Sequence, residues 1–537
     1  MTTTHAPSTR NPIGCDAARA ARVLIAFIAA MVCGACGRAT APADPPSAEP
    51  PNIVLIYVDD LGYGDVGAYG AAADLTPNID RLAAEGLRFT DAHSSAATCT
   101  PSRYALLTGS YAFRRNADIL PGDAPLLIPP TTRTLADLLS DAGYATGIVG
   151  KWHLGLGAGN VDWNGAIAPG PLELGFDDVF LLPATGDRVP TVYLEGNRVV
   201  DLDPADPIAI SYGDPIDDTP TGRSHPERLR QPADDQHSDT IVDGISRIGY
   251  MSGGERARWR DQEMADVLLD RAVRFLDDHQ ADPFFLFFSF HDIHVPRVPH
   301  DRFVGRTGMG PRGDAIAQMD WVTGELIDAL RTRGLDERTL VIFTSDNGPV
   351  LDDGYGDDAV EALGDHQPSG PFRGGKYSAY EAGTRVPTIA SWPGTLAAGN
   401  SDALVSQVDL VASLARLVDV PLGPGDAPDS ADLLDAWLGE SGEGREALIE
   451  ESFTLALRRG RWKYIRPGSA DTQAWIADDK GIESGLLDID QLFDLEQDAQ
   501  ERDNLAEQQP DVVDDLRATL QRMVGAAGTR PGFDGSD

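Results

Sequence analysis

Cysteine is scarce in this 537-residue chain and is concentrated at its start. Three of the four cysteines lie within the first 36 residues, so Cys99 stands alone in the rest of the sequence. A lone cysteine has no partner for an intramolecular disulfide, and no Cys/His pairs have the spacing of a structural zinc site. With 42% apolar residues, the chain can build a core without such cross-links.

Basic residues are also in short supply. Lys and Arg total 44 against 84 Asp and Glu, which gives a net charge of -40. Because a nucleic-acid backbone would be repelled by this charge, we expect no nucleic-acid partner. Any anionic substrate must therefore meet a site that is locally basic.

The sequence lacks an apolar run of the about 20 residues that a membrane-spanning helix needs. The run "VLIAFIAAMV" (residues 23–32) follows three arginines and is typical of a signal peptide, so we interpret residues 1–35 as removed on export. "CGAC" resembles a lipoprotein cleavage box with Cys36 as lipid anchor, although Cys33 stands where leucine is usual. A plain secretory signal is the alternative, and residues 36–51 are interpreted as a Pro/Ala-rich tether. We expect a periplasmic protein or a membrane-tethered lipoprotein.

Apolar, β-branched runs alternate along the chain with stretches of helical periodicity. The runs are "NIVLIYV" (52–58), "YATGIVG" (144–150), "PFFLFFSF" (283–290) and "RTLVIFT" (338–344), and helical spacing occupies residues 76–89 and 261–279. This βαβα order predicts an α/β fold, a doubly wound, mixed and mainly parallel sheet flanked by helices. We assign residues 52–424 to the catalytic domain and 425–537 to a smaller C-terminal α+β domain. The Asp/Pro/Gly-rich insertion 187–250 is expected to form loops around the site mouth.

Polar residues follow each of these strands, where open α/β sheets place ligands. Asp59 and Asp60 follow the first strand and Asp346 and Asn347 the fourth, each with a glycine close behind. An isolated acidic pair usually belongs to a turn or a helix cap. Two such sets at neighbouring strand ends instead favour a site for Ca²⁺ or Mg²⁺, because crowded carboxylates repel one another without a cation.

The setting of Cys99 is unusual for a buried structural residue. Thr100 is a candidate helix cap, Pro101 suits a first helical turn, and the chain continues with helical spacing to Gly109. The thiol is thus expected near the positive end of a helix, beside Arg103. Two other interpretations stay open, a small buried hydrophobe and a Cys-His type nucleophile, and the latter lacks an evident Cys-His-Asn arrangement.

At these residues the chain resembles a known family. "CTPSRYALLTG" is similar to the type I sulfatase signature C-x-P-S-R-x-x-x-L-T-G, in which the cysteine is oxidised enzymatically to formylglycine (3-oxoalanine). The resemblance spans about residues 52–506 and includes "TPNIDRLAAEGLRFTDAHS", "GKWHLG", "SDNG", "FRGGKYSAYEAGTRVP" and "LFDLEQD". It implies the fold of the alkaline phosphatase superfamily and an arylsulfatase-like sulfuric ester hydrolase.

The resemblance also implies roles for individual residues. The metal ligands would be Asp59, Asp60, Asp346, Asn347 and the modified Cys99, holding one divalent cation, Ca²⁺ in preference to Mg²⁺. The catalytic residues would be Cys99, Arg103, Lys151, His153, His294 and Lys376. In the implied reaction a hydroxyl of the hydrated aldehyde attacks sulfur, the alcohol departs, and loss of the second proton expels sulfate. A maturation enzyme would be a partner, and the substrate a sulfated carbohydrate or an aryl sulfate.

Five further residues are candidate substrate contacts. They are Thr185, which stands near a family serine and departs from the pattern, Asp187, Arg188, His291 and His366. His291 competes with His294, but only His294 lies in the family's H-x-P context, and a core or surface role is the alternative for His291. His366 is either a substrate contact or a turn cap, and Asp187 and Arg188 are either sugar contacts or solvated loop charges.

Two other functions remain in competition with sulfate ester hydrolysis. One is a phosphonate or phosphodiester hydrolase of the same superfamily, which would share the metal and the nucleophile. The other is a non-catalytic lipoprotein that binds sulfated glycans with Cys99 unmodified. Relative kinetics on matched sulfate and phosphate esters separate the first, and detection of the aldehyde separates the second.

Overall fold

The computed structural model describes residues 50–72 and 74–533. The predicted signal peptide, Cys36 and nearly all of the predicted tether lie outside the described residues. Strands β1 to β10 are Asn52–Val58, Leu87–Phe89, Ala92–His93, Ala145–Lys151, Asp178–Leu182, Leu194–Glu195, Arg198–Val199, Ala209–Ser211, Ile241–Val242 and Ile245–Ser246. Strands β11 to β20 are Tyr250–Ser252, Phe284–Ser289, Thr339–Ser345, Thr388–Ser391, Gly399–Ser401, Val405–Ser406, Leu448–Glu451, Leu455–Arg459, Trp462–Ile465 and Gln491–Asp494. Helices α1 to α10 are Pro77–Glu85, Cys99–Thr108, Leu135–Asp141, Met264–Asp278, Gly310–Thr332, Glu381–Thr384, Leu410–Leu417, Leu434–Trp437, Ala470–Lys480 and Pro510–Gly525.

A ten-stranded sheet with the order β15-β2-β14-β13-β1-β12-β4-β5-β6-β7 forms the centre of the protein. Its five middle strands, β13, β1, β12, β4 and β5, are parallel. Antiparallel pairing brings β14 against β13 on one side and β6 against β5 on the other. The predicted mixed, mainly parallel α/β sheet is therefore confirmed.

Helices cover both faces of this sheet, and the side-chain alternation of β1 shows how. Ile53, Leu55 and Tyr57 pack into one core with buried residues of α2, α3 and α7. Val54, Ile56 and Val58 point the other way, into a core with α1, α4 and α5. Because both faces are buried, these strands read as continuous apolar runs rather than as an alternating pattern.

The helix predicted over residues 76–89 is wrong at its end. Helix α1 stops at Glu85, and residues 87–89 form the strand β2, which pairs with β14 and β15. Leu87 and Phe89 are buried while Arg88 is half-buried, an alternation that three residues are too few to distinguish from helical spacing. Pairing with strands some 300 residues away decides the outcome.

A four-stranded antiparallel sheet, β17-β18-β19-β20, forms the smaller C-terminal part, with α10 packed on it. Buried ion pairs join it to the main sheet region. Lys463 contacts Glu381 at 3.2 Å, and Arg458 contacts Glu381 at 2.9 Å and Asp91 at 3.2 Å. The boundary predicted at residues 424 and 425 falls between α7 and α8 and stays a prediction.

Among residues 50–72 and 74–533, no helix combines the length and the apolar character that a bilayer crossing requires.

Candidate active site

Four buried oxygen donors meet at the carboxyl ends of β1 and β13. These strands are parallel neighbours, with Val58 opposite Ser345, so the residues that follow them emerge side by side. The Asn347 amide donates to Asp60 Oδ1 at 2.8 Å, and the Asp60 backbone N–H donates to Asp346 Oδ1 at 3.3 Å. The sheet thus brings together the two acidic sets that the sequence placed at strand ends.

The chain turns at Asp60 itself. Asp60 adopts a left-handed backbone with φ of 61°. The Leu61 N–H donates to Ser345 Oγ at 3.0 Å, which holds the turn against β13. Because of this turn, the adjacent carboxylates of Asp59 and Asp60 enter the same site instead of opposite faces of the sheet.

Glycine is required behind the second pair of donors. A Cβ on Gly348 would lie 1.7 Å from the carbonyl oxygen of Ala382, so no other residue fits without moving the backbone. Gly348 therefore allows the loop after β13 to pass close to the start of α6.

Three cationic side chains face the three carboxylates. Lys151, at the end of β4, is ion-paired with Asp59. Lys376 contacts Asp60 Oδ2 at 2.9 Å. Arg103 donates two hydrogen bonds to Asp346 Oδ2, at 3.0 Å from Nε and 2.8 Å from Nη2. These cations offset the three carboxylates, so the centre of this acidic protein carries no excess of negative charge that would repel an anion.

The donor set fits a divalent cation. Asp59 Oδ1 and Asn347 Oδ1 are buried and have no hydrogen-bond partner. Ligand atoms of Asp59, Asp346 and Cys99 lie within 4.8 Å of one another. Burial raises the pKa of Asp59 well above its ordinary value, and the negative charge of Asp346 adds to the shift. Unpartnered carboxylate and amide oxygens are hard ligands of the kind that Ca²⁺ and Mg²⁺ prefer.

Cys99 is the first residue of α2 and is only 1% exposed. The cap position belongs to Thr98, while the Thr100 hydroxyl, the candidate cap from sequence, donates to the His153 carbonyl at 3.0 Å. Burial raises the pKa of the Cys99 thiol to about 11, although Lys151 and Lys376 oppose the shift. The unmodified thiol is therefore neutral near pH 7, which disfavours a thiolate nucleophile.

Arg103, in α2, is fixed by several partners from other parts of the fold. Besides Asp346, its guanidinium donates to Ser289 Oγ at 2.6 Å and to the Lys151 carbonyl at 3.3 Å. It lies over the ring of Tyr57 at 5.1 Å from the centroid. A guanidinium fixed in this way keeps the Asp346 carboxylate oriented, because both hydrogen-bonding partners are immobile.

His153 and His294 are neutral and have defined tautomers. Burial holds the pKa of each well below its ordinary value, and nearby lysines add to the shift. His153 Nε2 lies 3.0 Å from the Leu120 carbonyl, and His294 Nδ1 lies 2.7 Å from the Val295 carbonyl. A carbonyl only accepts, so those nitrogens carry the protons. His153 Nδ1 and His294 Nε2 are then free to accept.

His291 lies near the same cluster as His294. Ligand atoms of Asp59, His291 and His294 come within 4.8 Å of one another. Burial lowers the pKa of His291 to about 3, and its Nδ1 has no hydrogen-bond partner. A Cβ on Gly186 would lie 2.5 Å from this ring, so the ring packs tightly against the loop after β5. The geometry leaves both histidines within reach of the site.

A pocket of about 210 Å³ opens above Cys99. It is lined by Cys99, Ile119, Asp187, Arg188, Gln236, His237, Ile248, His294, Asp353, Lys376, Tyr377, Trp475 and Lys480. The insertion 187–250 contributes five of these residues, as expected for loops at a site mouth. Thr185 lies behind the pocket, where its hydroxyl accepts a hydrogen bond from Arg188 at 2.7 Å.

His366 lies elsewhere. Its Nε2 is 2.8 Å from Asp65 Oδ1, and Arg312 contacts the same carboxylate at 2.9 and 2.6 Å. His366 is not among the side chains that line the pocket. His366, a candidate substrate contact from sequence, therefore pairs with a buried carboxylate outside the pocket lining.

Three charged groups in the pocket, Asp353, His237 and Lys480, escape prediction from sequence. Asp353 accepts from Lys376 at 3.0 Å and from Lys480 at 3.0 Å, and so links the site to α9. His237 lies between Asp187 and Asp234, and although burial opposes its charge, these carboxylates raise the pKa of His237 to about 9. The only local signal for Asp353 is "LDDG", which begins six residues after the end of β13 and is equally typical of a turn.

Comparisons with known proteins agree with this geometry. The Sulfatase family model matches residues 51–420. An N-acetylgalactosamine-6-O-sulfatase of Bacteroides thetaiotaomicron is 47% identical over 482 residues, which cover 89% of this chain and 94% of that protein. Human arylsulfatase A is 34% identical over 484 residues, which cover 85% of this chain and 84% of the human protein.

Solved structures give the same result. A Bacteroides thetaiotaomicron protein described as a 6S sulfatase from the metabolism of multiple glycosaminoglycans superposes with a TM-score of 0.87 at 47% identity, covering 89% of this chain and 99% of that chain. The PsFucS1 sulfatase of Pseudoalteromonas sp. superposes with a TM-score of 0.66 at 26% identity, covering 91% and 92%. The likeness concerns the whole arrangement and not one motif.

Proposed function

This chain belongs to the sulfatase family and hydrolyses a sulfate ester, and on that premise we propose that its substrate is the 6-O-sulfate of an N-acetylgalactosamine residue in a sulfated glycan. The observation that carries the proposal is the identity to the N-acetylgalactosamine-6-O-sulfatase, which extends over nearly the whole of both chains. A shared fold alone would support only the class of reaction.

The charges in the pocket support an anionic sugar as substrate. Arg188, Lys376 and Lys480 line it, together with His237, whose raised pKa keeps it charged near neutral pH. Asp187 is paired with Arg188 at 3.1 Å. The pair offers both an acceptor and a donor for sugar hydroxyls, while the cations offset the negative sulfuryl oxygens.

Two groups complete the proposed chemistry. Asp59, Asp60, Asp346, Asn347 and the residue at position 99 would hold one divalent cation, with Ca²⁺ favoured, and this ion would supply a positive charge opposite the sulfuryl oxygens. Oxidation of Cys99 to an aldehyde would supply a hydroxyl nucleophile on hydration, in place of the neutral thiol. A maturation enzyme in the producing cell must carry out that oxidation.

The chain's own residues orient and balance this centre. Arg103 fixes Asp346, and Lys151 neutralises Asp59, so two carboxylates are held in place by paired cations. His153 presents an unprotonated Nδ1 from a buried loop, which suits a partner for a hydroxyl at position 99. Fixed charges and dipoles of this kind need no reorganisation when the reaction occurs.

Lys376 and His294 are the candidates for the leaving-group side. Asp353 and Asp60 raise the pKa of Lys376 well above its ordinary value in spite of burial, so Lys376 carries a proton in the resting protein. His294 Nε2 lies 3.9 Å from Asp60 Oδ2 and must gain a proton before it can donate one. The two residues therefore make different predictions when they are removed.

His294→Ala is expected to lose far more activity on a sugar sulfate than on nitrophenyl sulfate. A sugar alcohol needs a proton to depart and a nitrophenolate does not, and a positioned proton donor contributes about 10² to 10⁴ in rate. Lys376→Ala should harm both substrates, because it also removes a charge near the sulfuryl oxygens. The measurement is kcat/KM on both substrates.

The outcomes distinguish the proton donors, provided that position 99 is equally converted in every variant. Equal losses on the two substrates for His294→Ala would refute its role as general acid. A selective loss in Lys376→Ala alone would assign the proton to the lysine. A selective loss in His291→Ala would move the role three residues upstream.

The proposed regiospecificity predicts a strong preference among sugar sulfates. Release of sulfate from N-acetylgalactosamine 6-sulfate should exceed release from the 4-sulfate by roughly 100-fold or more, because a site built to bond particular hydroxyls rejects a misplaced one. The 6-phosphate of the same sugar is the matched control for a phosphate ester hydrolase. Equal rates on the two sulfates, or faster phosphate release, would contradict the proposal.

Export belongs to the same proposal. Its support is the apolar run at residues 23–32 and the "CGAC" that follows it. The protein would act in the periplasm or on a membrane surface to which lipidated Cys36 tethers it.

A further inference from the structure

Three aromatic side chains form a surface at the mouth of the pocket. This aromatic rim consists of Tyr377, Phe453 and Trp475, with ring centroids 5.8 to 6.2 Å apart. Tyr377 is buried, whereas Phe453 and Trp475 are each 39% exposed. Large apolar side chains with this exposure are few among the described residues, and two of them lie here side by side. Exposed aromatic groups that touch each other often mark a binding surface.

The aromatic rim is continuous with the catalytic pocket. Tyr377 and Trp475 line the same pocket as Cys99, and Tyr377 follows Lys376 directly in the chain. The Tyr377 backbone N–H donates to the Ala97 carbonyl at 2.8 Å, two residues before Cys99. The aromatic rim therefore lies beside the pocket into which position 99 faces.

Helix α9 holds Trp475 in place. Lys480, its last residue, is 3.0 Å from Asp353, which in turn is 3.0 Å from Lys376. Ile476 is fully buried in a small core with Tyr377 and Tyr380. The neighbouring Trp475 is thus fixed at the rim while part of its surface stays exposed. Because the side chain is already ordered, little conformational entropy is lost when a ligand binds.

The pocket is too small for more than one sulfated ring. Its volume is about 210 Å³, and sites that enclose a drug-sized ligand occupy about 300 to 1,000 Å³. If the substrate is part of a glycan, the next sugar must lie outside the pocket. The aromatic rim offers apolar contact to that sugar at the pocket mouth.

We propose that Trp475, supported by Phe453, stacks against the apolar face of the pyranose that is joined by a glycosidic bond to the sulfated ring. The inference rests on the proposed function, because it needs a glycan as substrate. One face of a pyranose carries C–H groups, which pack on the electron-rich face of an aromatic ring. Trp475 would then select oligosaccharides over single sugars without taking part in the chemistry.

The test compares Trp475→Ala with the wild type on two substrates. One is N-acetylgalactosamine 6-sulfate, and the other is a disaccharide of a hexuronic acid and N-acetylgalactosamine 6-sulfate. Loss of the ring should lower kcat/KM for the disaccharide by roughly 3- to 20-fold, mainly through KM, because stacking contributes equally to substrate and transition state. Activity on the monosaccharide should fall by a clearly smaller factor, because that substrate has no second ring to stack on Trp475.

Two control variants accompany the test. Trp475→Tyr keeps an aromatic face and should recover most of the disaccharide activity. Ile489→Ala removes an apolar side chain that is 52% exposed in another part of the C-terminal region, and should behave as wild type on both substrates. Together they separate loss of stacking from a general effect of trimming the surface.

The outcomes separate this inference from the function on which it rests. A wild type that releases no sulfate from either sugar would overturn the proposed substrate and the inference with it. An active wild type whose Trp475→Ala variant loses equally on both sugars, or on neither, would overturn the stacking role alone.

Discussion

Replacing Asp346 by alanine is expected to abolish metal retention and sulfatase activity together. Asp346 contributes a buried carboxylate to the donor cluster with Asp59 and Cys99, so its loss leaves an incomplete set of ligands. A metal ion that offsets developing charge contributes several kcal/mol, so kcat/KM should fall by roughly 10³-fold or more. Metal content by elemental analysis and kcat/KM are measured on the same preparations.

The fold of the variant needs its own control, because Asp346→Ala also leaves Arg103 buried without its carboxylate. Removing one partner of a buried pair destabilises by about 3 to 5 kcal/mol. Asp346→Asn keeps the shape and one ligand oxygen but removes a negative charge, so it should retain the fold, bind the metal more weakly and lose activity. Asp270→Ala, at an exposed ion pair on α4, should change neither quantity. An Asp346→Asn variant with full metal content and activity would contradict the assignment.

Cys99→Ala is expected to eliminate turnover while leaving the fold intact. The side chain is small and buried, and alanine fits the first turn of α2 without strain. Since position 99 would carry the nucleophile, loss should be roughly 10⁴-fold or more on every sulfate ester, aryl or sugar. Circular dichroism and thermal unfolding check the fold, and sulfate release checks the activity.

A variant of Lys151 supplies the matched comparison for Cys99→Ala. Lys151→Met removes a buried cation that pairs with Asp59 but leaves the residue at position 99 unchanged. Lys151→Met should lower the activity but still permit oxidation of Cys99. Cys99→Ala should show no activity and has no thiol to oxidise. Activity retained by Cys99→Ala within tenfold of wild type would show that another group attacks the sulfur.

The sequence predicts the parallel core well because both faces of it are buried. Residues 52–58 are continuous and apolar, and they form β1 with the predicted bounds. The same local information fails at residues 87–89, whose strand exists only because β14 and β15 lie beside it. Periodicity reports which face of an element is buried, but it does not report what the element pairs with.

The residues of the site also divide into those that the sequence predicts and those that it does not. Asp59, Asp346 and Cys99 lie next to strand ends or a helix start, so short motifs reveal them. Asp353 and His237 come from loops that the fold alone brings to the pocket, and nothing in their local sequence separates them from ordinary surface turns. The left-handed turn at Asp60 is likewise a property of the packed edge of the sheet and not of the dipeptide.

Mass analysis of the peptide at residues 89–103 tests the central claim most directly. The account predicts that active protein, made in a cell with the maturation enzyme, carries an aldehyde at position 99 in place of the thiol and that this peptide reacts with a hydrazide. Protein made without the maturation enzyme should keep the thiol and be inactive. Fully active protein in which Cys99 remains an intact thiol would contradict the account.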